Sequence, residues 1–408
     1  MSQIRGAEAV IRSLVAEGVE TIFGYPGGAI MPIYDALYDF KKEVNHILVR
    51  HEQGAIHAAQ GFARTSEKVG VCLATSGPGA TNLITGLADA MIDSTPLVCI
   101  TGQVASHLLG TDAFQETDVI GISMPVTKWN AQVKRAEDIP AVLAKAFFIA
   151  KTGRPGPVLI DITKDAQFGM MDFDYKFCTD IRSYFQKPLI NKTAVSDAAK
   201  LLNSAKKPYI LVGQGIVLSN AEQELLEFAE KTGIPVASTL LGLGAFPPDH
   251  PLYVGYLGMH GNYAPNIKTN ECDVLFAVGM RFDDRVTGDV ERYAKQAKII
   301  HVDIDFAELN KIVTNEVSIH ADAKEALALL TQEVENRTHE AWIQEFRDAE
   351  KIEIDTVIED AIHPKHDRLQ MAEVVNMLSE KTDGKAIIVT DVGQHQMITS
   401  RYYQYKSQ

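Results

Sequence analysis

The chain keeps returning to one pattern: a short strand-like run, a glycine-bearing loop, then a helical stretch. The first part contains TIFGYPG, HILVR, VGVCLATSG, PLVCITGQ and VLIDITKD. Strand-like runs that alternate with helical ones predict an α/β fold with a mostly parallel sheet. HILVR reads as a short buried strand. A polar stretch near 166–190 interrupts the pattern, which resumes with KPYILVGQG, IPVASTL, DVLFAVGMR and KIIHVDIDF. A third set opens with MAEVVNML and KAIIVTDVG. The expected division is a first domain over 1–165, a linker over 166–190 and a second domain over 191–335. A surface linker helix follows over 336–367, and 368–408 begins a third, incomplete domain in which the strand KAIIVTD stands alone.

Length supports that division, because 408 residues are enough for two or three separately cored domains. The net charge of −14, with no basic cluster, argues against a nucleic-acid partner. The start MSQIRGAEAVIRSL lacks a signal peptide's apolar run, and no stretch has membrane-spanning length. Cys72, Cys99, Cys178 and Cys272 share no metal-binding spacing, so reduced thiols and a cytoplasmic setting are expected.

The chemistry should lie in the loops, since open α/β sheets bind ligands beyond the carboxyl ends of their strands. In RHEQGAIHAAQGFAR, Glu52 opens a helix of small residues whose apolar face is read as Ala55, Ala58, Ala59 and Phe62. Glu52 is either a first-turn acid that complements the helix dipole or a working carboxylate. Gly27 and Gly28 in YPGGAIMP either make a tight turn or let backbone approach a ligand. TSGPGATN offers a possible anion-binding helix start, and GTDAFQET is a mobile loop or a site wall. In the second set, VGQG lacks the third glycine of a full dinucleotide fingerprint. Arg281 and Arg285 in VGMRFDDRVTG suit a diphosphate or a surface ion-pair cluster. Asp303 and Asp305 in HVDIDFAEL bind ribose hydroxyls or cap the next helix. Three such strand ends in one domain point to a bound dinucleotide.

Seven segments, FGYPGGAIMP, RHEQGAIHAAQGFAR, TSGPGATN, GTDAFQET, GRPGPVLIDITKD, GMRFDDRVTG and TDVGQHQM, occur in the order found in one family. Together they resemble the acetolactate synthase (acetohydroxyacid synthase) large subunits, which are thiamine diphosphate enzymes. The resemblance implies parallel-sheet, three-layer domains of the thiamine diphosphate-binding fold with a Rossmann-like central FAD domain. It implies thiamine diphosphate, Mg²⁺ and FAD as cofactors. The activity implied is decarboxylation of pyruvate and ligation of the hydroxyethyl group to a second 2-keto acid, pyruvate or 2-ketobutyrate, early in valine, leucine and isoleucine synthesis. Glu52 would hydrogen-bond the cofactor's pyrimidine N1′, and small neighbours would admit the ring and exclude water. Gln115 and Gly28 join Glu52 as catalytic by this match. Tyr25, Pro26, Gly27, Gly393, Gln394, His395 and Gln396 would contact the same cofactor. Phe114 and Lys164 fall to the substrate pocket. FAD contacts fall to Arg154, Gly213, Gly215, His260, Gly261, Gly279, Arg281, Asp283, Arg285, Asp303, Ile304 and Asp322. A homodimer or homotetramer and a small regulatory subunit are implied as well.

Two departures stand out. Phe306 replaces the family's usual proline, a change expected to be tolerated at a turn. The GDG motif and its downstream asparagine, which supply the family's Mg²⁺ ligands, do not occur in these residues. The resulting expectation is a truncated, inactive chain with no metal ligands of its own. Rival readings are another FAD-containing thiamine enzyme, such as a pyruvate oxidase, and a non-catalytic FAD-binding fragment.

Overall fold

The computed structural model describes residues 3–184, 186–365 and 368–406. The fold is α/β, and the chain divides into two compact units, 1–186 and 187–408. In the first unit the main strands are β2 (Thr21–Gly24), β3 (Asn45–Leu48), β4 (Gly70–Ala74), β5 (Leu97–Gln103), β6 (Trp129–Val133) and β7 (Pro157–Thr163). They form one parallel sheet in the order β3-β2-β4-β5-β7-β6. β4, β5 and β7 are buried along their whole length, which is why their sequences are continuous apolar runs. A two-residue antiparallel ribbon joins β1 (Ile4–Arg5) to β8 (Met170–Met171). The start of the expected 166–190 linker is therefore tied into the first unit.

The second unit repeats the plan with β9 (Pro208–Val212), β10 (Val236–Ser238), β11 (Tyr253–Tyr256), β12 (Val274–Val278), β13 (Lys298–Asp303) and β14 (Val317–His320). Its parallel sheet runs β11-β10-β9-β12-β13-β14. One face packs on the helices Lys192–Ser204, Glu222–Thr232 and Ala323–Glu333, whose apolar residues share a core with Ile210, Phe276 and Ile300.

Three local expectations change. HILVR is not buried: β3 is an edge strand, and Ile47 and Leu48 are 40% and 64% exposed. The strand order turns back after β3, so among the described residues that strand pairs with β2 alone. In the helix Glu52–Ser66 the buried stripe is Glu52, Ala55, Ile56, Ala59, Gln60 and Ala63. The helical turn carries Ala58 out to solvent, while Phe62 sits edge-on to Phe23 with centroids 6.0 Å apart. The segment expected as a surface linker contains the helix Glu340–Glu353, and Trp342, Phe346 and Ala349 on it are buried against Tyr209 and Leu275 in the second unit. Its charged face had masked an apolar stripe.

KAIIVTD does not form a strand among the described residues, and Ile387 and Val389 are about nine-tenths exposed. A strand needs a neighbour to satisfy its backbone, and none is paired with it here. Phe306, by contrast, is 71% exposed at a 3₁₀ turn capped by Asp305. The position imposes no need for proline.

Trp342 closes the second unit, with its indole N–H donating to the Pro208 carbonyl at 2.8 Å and its ring 4.9 Å from Phe346. Replacing it with alanine removes a buried aromatic and leaves that carbonyl without its donor. Trp342→Ala should cost the second unit about 3–5 kcal/mol, measured by denaturant titration against the parent chain. A loss under about 1 kcal/mol would return the helix to the status of a surface linker.

Candidate functional site

In an open parallel sheet, a crevice forms where the strand order reverses. In the first unit that point lies between β2 and β4, because the chain steps from β2 outward to β3 and then back across to β4. The loop after β2 carries Tyr25, Pro26, Gly27 and Gly28, and the loop after β4 carries Thr75, Ser76 and Gly77. The two touch. The Ala29 N–H donates to Thr75 Oγ1 at 3.2 Å, and a Cβ on Gly27 would lie 2.5 Å from Thr75 Cβ. Gly27 is thus required by the approach of the loops to each other. Gly28 is different, since a Cβ there would meet nothing within 4 Å. Its bare backbone faces open space.

Glu52 enters this crevice from the helix that follows β3. His51 does the capping, with its Nδ1 accepting the Gln53 N–H at 3.1 Å. The Glu52 side chain is therefore not consumed by the helix end. It is 8% exposed, and Asn82 Nδ2 donates to its Oε2 at 2.9 Å. Its Oε1 lies 3.3 Å from where a Cβ on Gly79 would stand. A buried carboxylate with one oxygen fixed by a neutral amide, beside a wall of glycine, can accept a hydrogen bond from a planar ring and share its proton. Tyr34 lies nearby. Burial, with smaller contributions from Cys72 and Glu52, pushes its hydroxyl far above the usual tyrosine range.

The loop 110–117 reaches the same place. Gln115 is held at φ +59°, and its carbonyl lies 2.6 Å from the position of a Cβ on Gly77. Gly77 itself has φ +57°, so a side chain there meets both strain and collision. Phe114 stands 87% exposed on the same loop. Glu116 organises the loop from within, accepting the backbone N–H groups of Gly110, Thr111 and Ala113. Those bonds, the one from Gly110 foremost, hold its carboxyl below the usual range. Lys164 is exposed at the start of the helix Lys164–Phe168, whose Gln167 amide donates to the Ala29 carbonyl at 2.8 Å.

Glu52, Gly27, Gly28, Gln115 and the TSGPG turn therefore converge. Asn82, Thr75 and Glu116 had not been singled out from the sequence. Asn82 and Thr75 sit inside TSGPGATN and Glu116 inside GTDAFQET, and polar residues flanking the glycines were the available signal. Tyr25 is partly exposed at the rim.

In the second unit the order reverses between β9 and β12. The loops that follow these strands pack backbone to backbone. The Gly215 N–H donates to the Gly279 carbonyl at 2.9 Å, and a Cβ on Gly215 would lie 2.6 Å from Gly279 Cα. A Cβ on Gly213 would collide with the same carbonyl. Arg281 pairs with Asp283 at 3.5 Å, and Arg285 lies 3.4 Å from Met259 Sδ. His260 is exposed, Gly261 is buried, and the His260 carbonyl accepts from Tyr256 Oη at 2.8 Å. The acids that could have bound ribose carry local work. Asp283, Asp305 and Asp322 each accept backbone N–H groups at a helix start, and Asp303 accepts the Asp305 N–H at 2.8 Å. The Ile304 carbonyl bonds His320 Nε2 at 3.0 Å. Arg154 belongs to the first unit, where its Nε donates to Ser94 Oγ at 2.9 Å. Gly393 to Gln396 open the helix Gln394–Tyr402, and Gln396 lines an open groove of about 380 Å³ with Thr399 and Ser400.

Among the described residues no group of three or more His, Cys, Asp or Glu side chains is placed to hold a metal ion.

Two family models match the chain. One, described as the thiamine pyrophosphate enzyme N-terminal TPP binding domain, covers residues 4–122, and the other, the thiamine pyrophosphate enzyme central domain, covers 195–330. The chain is 48% identical to the probable acetolactate synthase large subunit of Methanocaldococcus jannaschii, over 99% of this chain and 69% of that protein. It is 47% identical to the acetolactate synthase large subunit of Corynebacterium glutamicum, over 99% of this chain and 64% of that protein. Identity to the acetolactate synthase isozyme 2 large subunit of Escherichia coli is 46%, over 98% of this chain and 70% of that protein. The chain thus spans about two-thirds of the length of these relatives.

One buried group on β13 gives a pH test. His301 is buried beside Asp303, with Nε2 against the Met280 carbonyl at 3.0 Å. Burial pulls its pKa down from 6.5 to about 4, partly opposed by that carbonyl. Between these values the unfolded chain takes up a proton that the folded chain refuses. Stability is therefore full above pH 6.5 and falls as pH drops toward 4. Over that span the parent should lose about 3 kcal/mol more than His301→Gln, the size expected for such a shift. Denaturant titrations at several pH values check this, and parallel pH profiles for the two proteins would contradict it.

Proposed function

The chain belongs to the acetolactate synthase large-subunit family of thiamine diphosphate enzymes, and on that premise we propose that it decarboxylates pyruvate and joins the two-carbon unit to a second 2-keto acid. Pyruvate as acceptor gives acetolactate and 2-ketobutyrate gives acetohydroxybutyrate. The observation that carries this reading is the buried Glu52 carboxylate, held by Asn82 at 2.9 Å at the switch point of the first sheet.

The residues present fit the pyrimidine end of thiamine diphosphate. Gly28 faces open space, Gly79 leaves the Glu52 carboxylate uncovered, and the surrounding helix is built of small residues. Bound there, thiamine diphosphate supplies the electron sink that decarboxylation of a 2-keto acid requires. Glu52 holds a proton at the pyrimidine N1′ and passes it back. Asn82 keeps the carboxylate turned toward the ring. Burial excludes water and strengthens the bond that Glu52 makes. Gln115 and the backbone of Gly28 border the reactive end, Phe114 walls the substrate side, and Lys164 flanks its approach. Gly393 to Gln396 meet the diphosphate. Mg²⁺ belongs to this proposal as the diphosphate's counter-ion, although the described residues offer no group of three or more His, Cys, Asp or Glu side chains for it.

FAD is proposed for the second unit, in the crevice between the β9 and β12 loops. Arg281 and Arg285 supply charge for the diphosphate, and Gly213, Gly215 and Gly279 allow the close approach of backbone there. With backbone donors already on Asp283, Asp303 and Asp322, contacts from those carboxylates to a ribose rest on their remaining lone pairs. A contact from Arg154 is part of the same proposal. The proposed domains are a pyrimidine domain over 1–165, an FAD domain over 191–335 and a diphosphate-binding segment over 368–408. A homodimer or homotetramer, a small regulatory partner of the kind the relatives' phrase "large subunit" suggests, and a cytoplasmic setting complete the reading. Among the described residues no helix is long and apolar enough to cross a membrane.

Two experiments test the proposal. Glu52→Gln keeps the shape but cannot share its proton in the same way, so acetolactate formation in the active protein should fall by about 10²–10⁴. Flavin content should not change. Near-normal turnover would remove Glu52 from the mechanism. Purified chain should take up FAD and turn yellow, and Arg281→Ala should weaken uptake by about 1.5–3 kcal/mol, the range for one charge-assisted contact. A folded, colourless protein that ignores added FAD would end that part of the reading.

A further inference from the structure

A buried acid that the proposed chemistry does not use lies in the first unit, near the carboxyl ends of three adjacent strands. Asp161 on β7 has no solvent exposure. It receives Thr101 Oγ1 at 2.6 Å, Gln103 Nε2 at 3.2 Å and Gln132 Nε2 at 3.0 Å. Thr101 and Gln132 are its register partners on β5 and β6, the strands on either side. All three donors are neutral. Burial pushes the Asp161 carboxyl up, against the pull of these bonds, and the Asp118 carboxylate adds to the rise. Stability alone is a poor reason for such a group, because an apolar replacement for a buried charge is often neutral or better.

What the acid does is visible in Gln103. The same Nε2 that donates to Asp161 also donates to the Thr117 carbonyl at 3.0 Å, and Gln103 Oε1 accepts the Val104 N–H at 2.9 Å. The amide has one workable orientation. Turned over, its oxygen would face both a carboxylate and a carbonyl, and its nitrogen would face an N–H. Thr117 ends the loop that carries Phe114 and Gln115. We propose that Asp161 is a positioning residue, which fixes the Gln103 amide and through it anchors the root of the loop that sets Gln115 against Gly77. This inference rests on the role proposed above for Gln115. Valine at 161 fits a buried strand and takes away the acceptor of both glutamine amides, whereas asparagine would keep its oxygen for them and turn its NH₂ to the Thr101 hydroxyl, which can accept it.

Hydrogen exchange of the whole chain, read by mass spectrometry on peptides covering 104–119, tests the anchor without any turnover. Asp161→Val and Gln103→Leu should each speed exchange in 110–117 about tenfold, the factor for one ordinary hydrogen bond lost. Thr101→Val removes a different donor from the same carboxylate and should leave that loop's exchange as it was. Unchanged loop exchange in folded Asp161→Val and Gln103→Leu, or an equal rise in Thr101→Val, would overturn the proposal. In active protein, kcat should fall in Asp161→Val toward the value of Gln115→Ala, with little further loss in the double variant. A loosened loop with kcat intact would also overturn it. Should the parent protein make no acetolactate, the proposed function fails, and the exchange comparison still decides whether Asp161 anchors the loop.

Discussion

The hydrogen bond from Asn82 to Glu52 joins residues thirty positions apart and exists only because two loops meet where the first sheet changes direction. Glu52 arrives from the edge, on the helix after β3. Asn82 arrives from the centre, just past the turn after β4. Neither loop could hold the carboxylate alone. Burying a charge needs a donor brought to it, and a donor on a different segment is one that folding must supply. The glycines follow from that meeting. Gly27 and Gly77 are small because another segment lies against them, and Gly79 is small because Thr75 Cγ2 and then the carboxylate lie beside it. Of these four glycines, Gly28 is the one that faces open space.

Around this bond the first unit is organised by acids that point inward or into their own loops. Asp161 sits in the sheet and is satisfied by neutral amides and a hydroxyl. Glu116 gathers three backbone donors and gives an otherwise irregular loop a definite shape. The second unit handles its acids differently. Asp283, Asp305 and Asp322 sit at helix starts and are satisfied by the first free N–H groups there. At its switch point Gly213, Gly215 and Gly279 bring two loops into direct backbone contact.

The strand-loop-helix order was legible because each central strand is a continuous apolar run, and a run of that kind has to be covered on both faces. The edge was less legible. HILVR has the composition of an interior strand, yet pairing places it at the margin with Leu48 largely exposed. The helix Glu340–Glu353 misled in the other direction. Its charges are conspicuous in the sequence, whereas its three buried apolar residues matter only because Tyr209 and Leu275 share a core with them. Ala58 shows the same limit at the scale of one residue, since composition could not say which of several alanines faced the core.

By itself the sequence determined the alternating architecture, the family, and which loops would carry chemistry, because strand ends, glycines and an isolated glutamate are local features. It placed Glu52 at a helix start and left open whether that acid served the helix or something else. Tertiary structure decided this by giving the capping work to His51 and the carboxylate to Asn82. It likewise decided that Asp303 and Asp305 have backbone partners, and that Gln103 has one orientation. In each case the deciding fact is a partner. A hydrogen bond between distant segments depends on distance and direction in three dimensions, and neither is written in the order of residues.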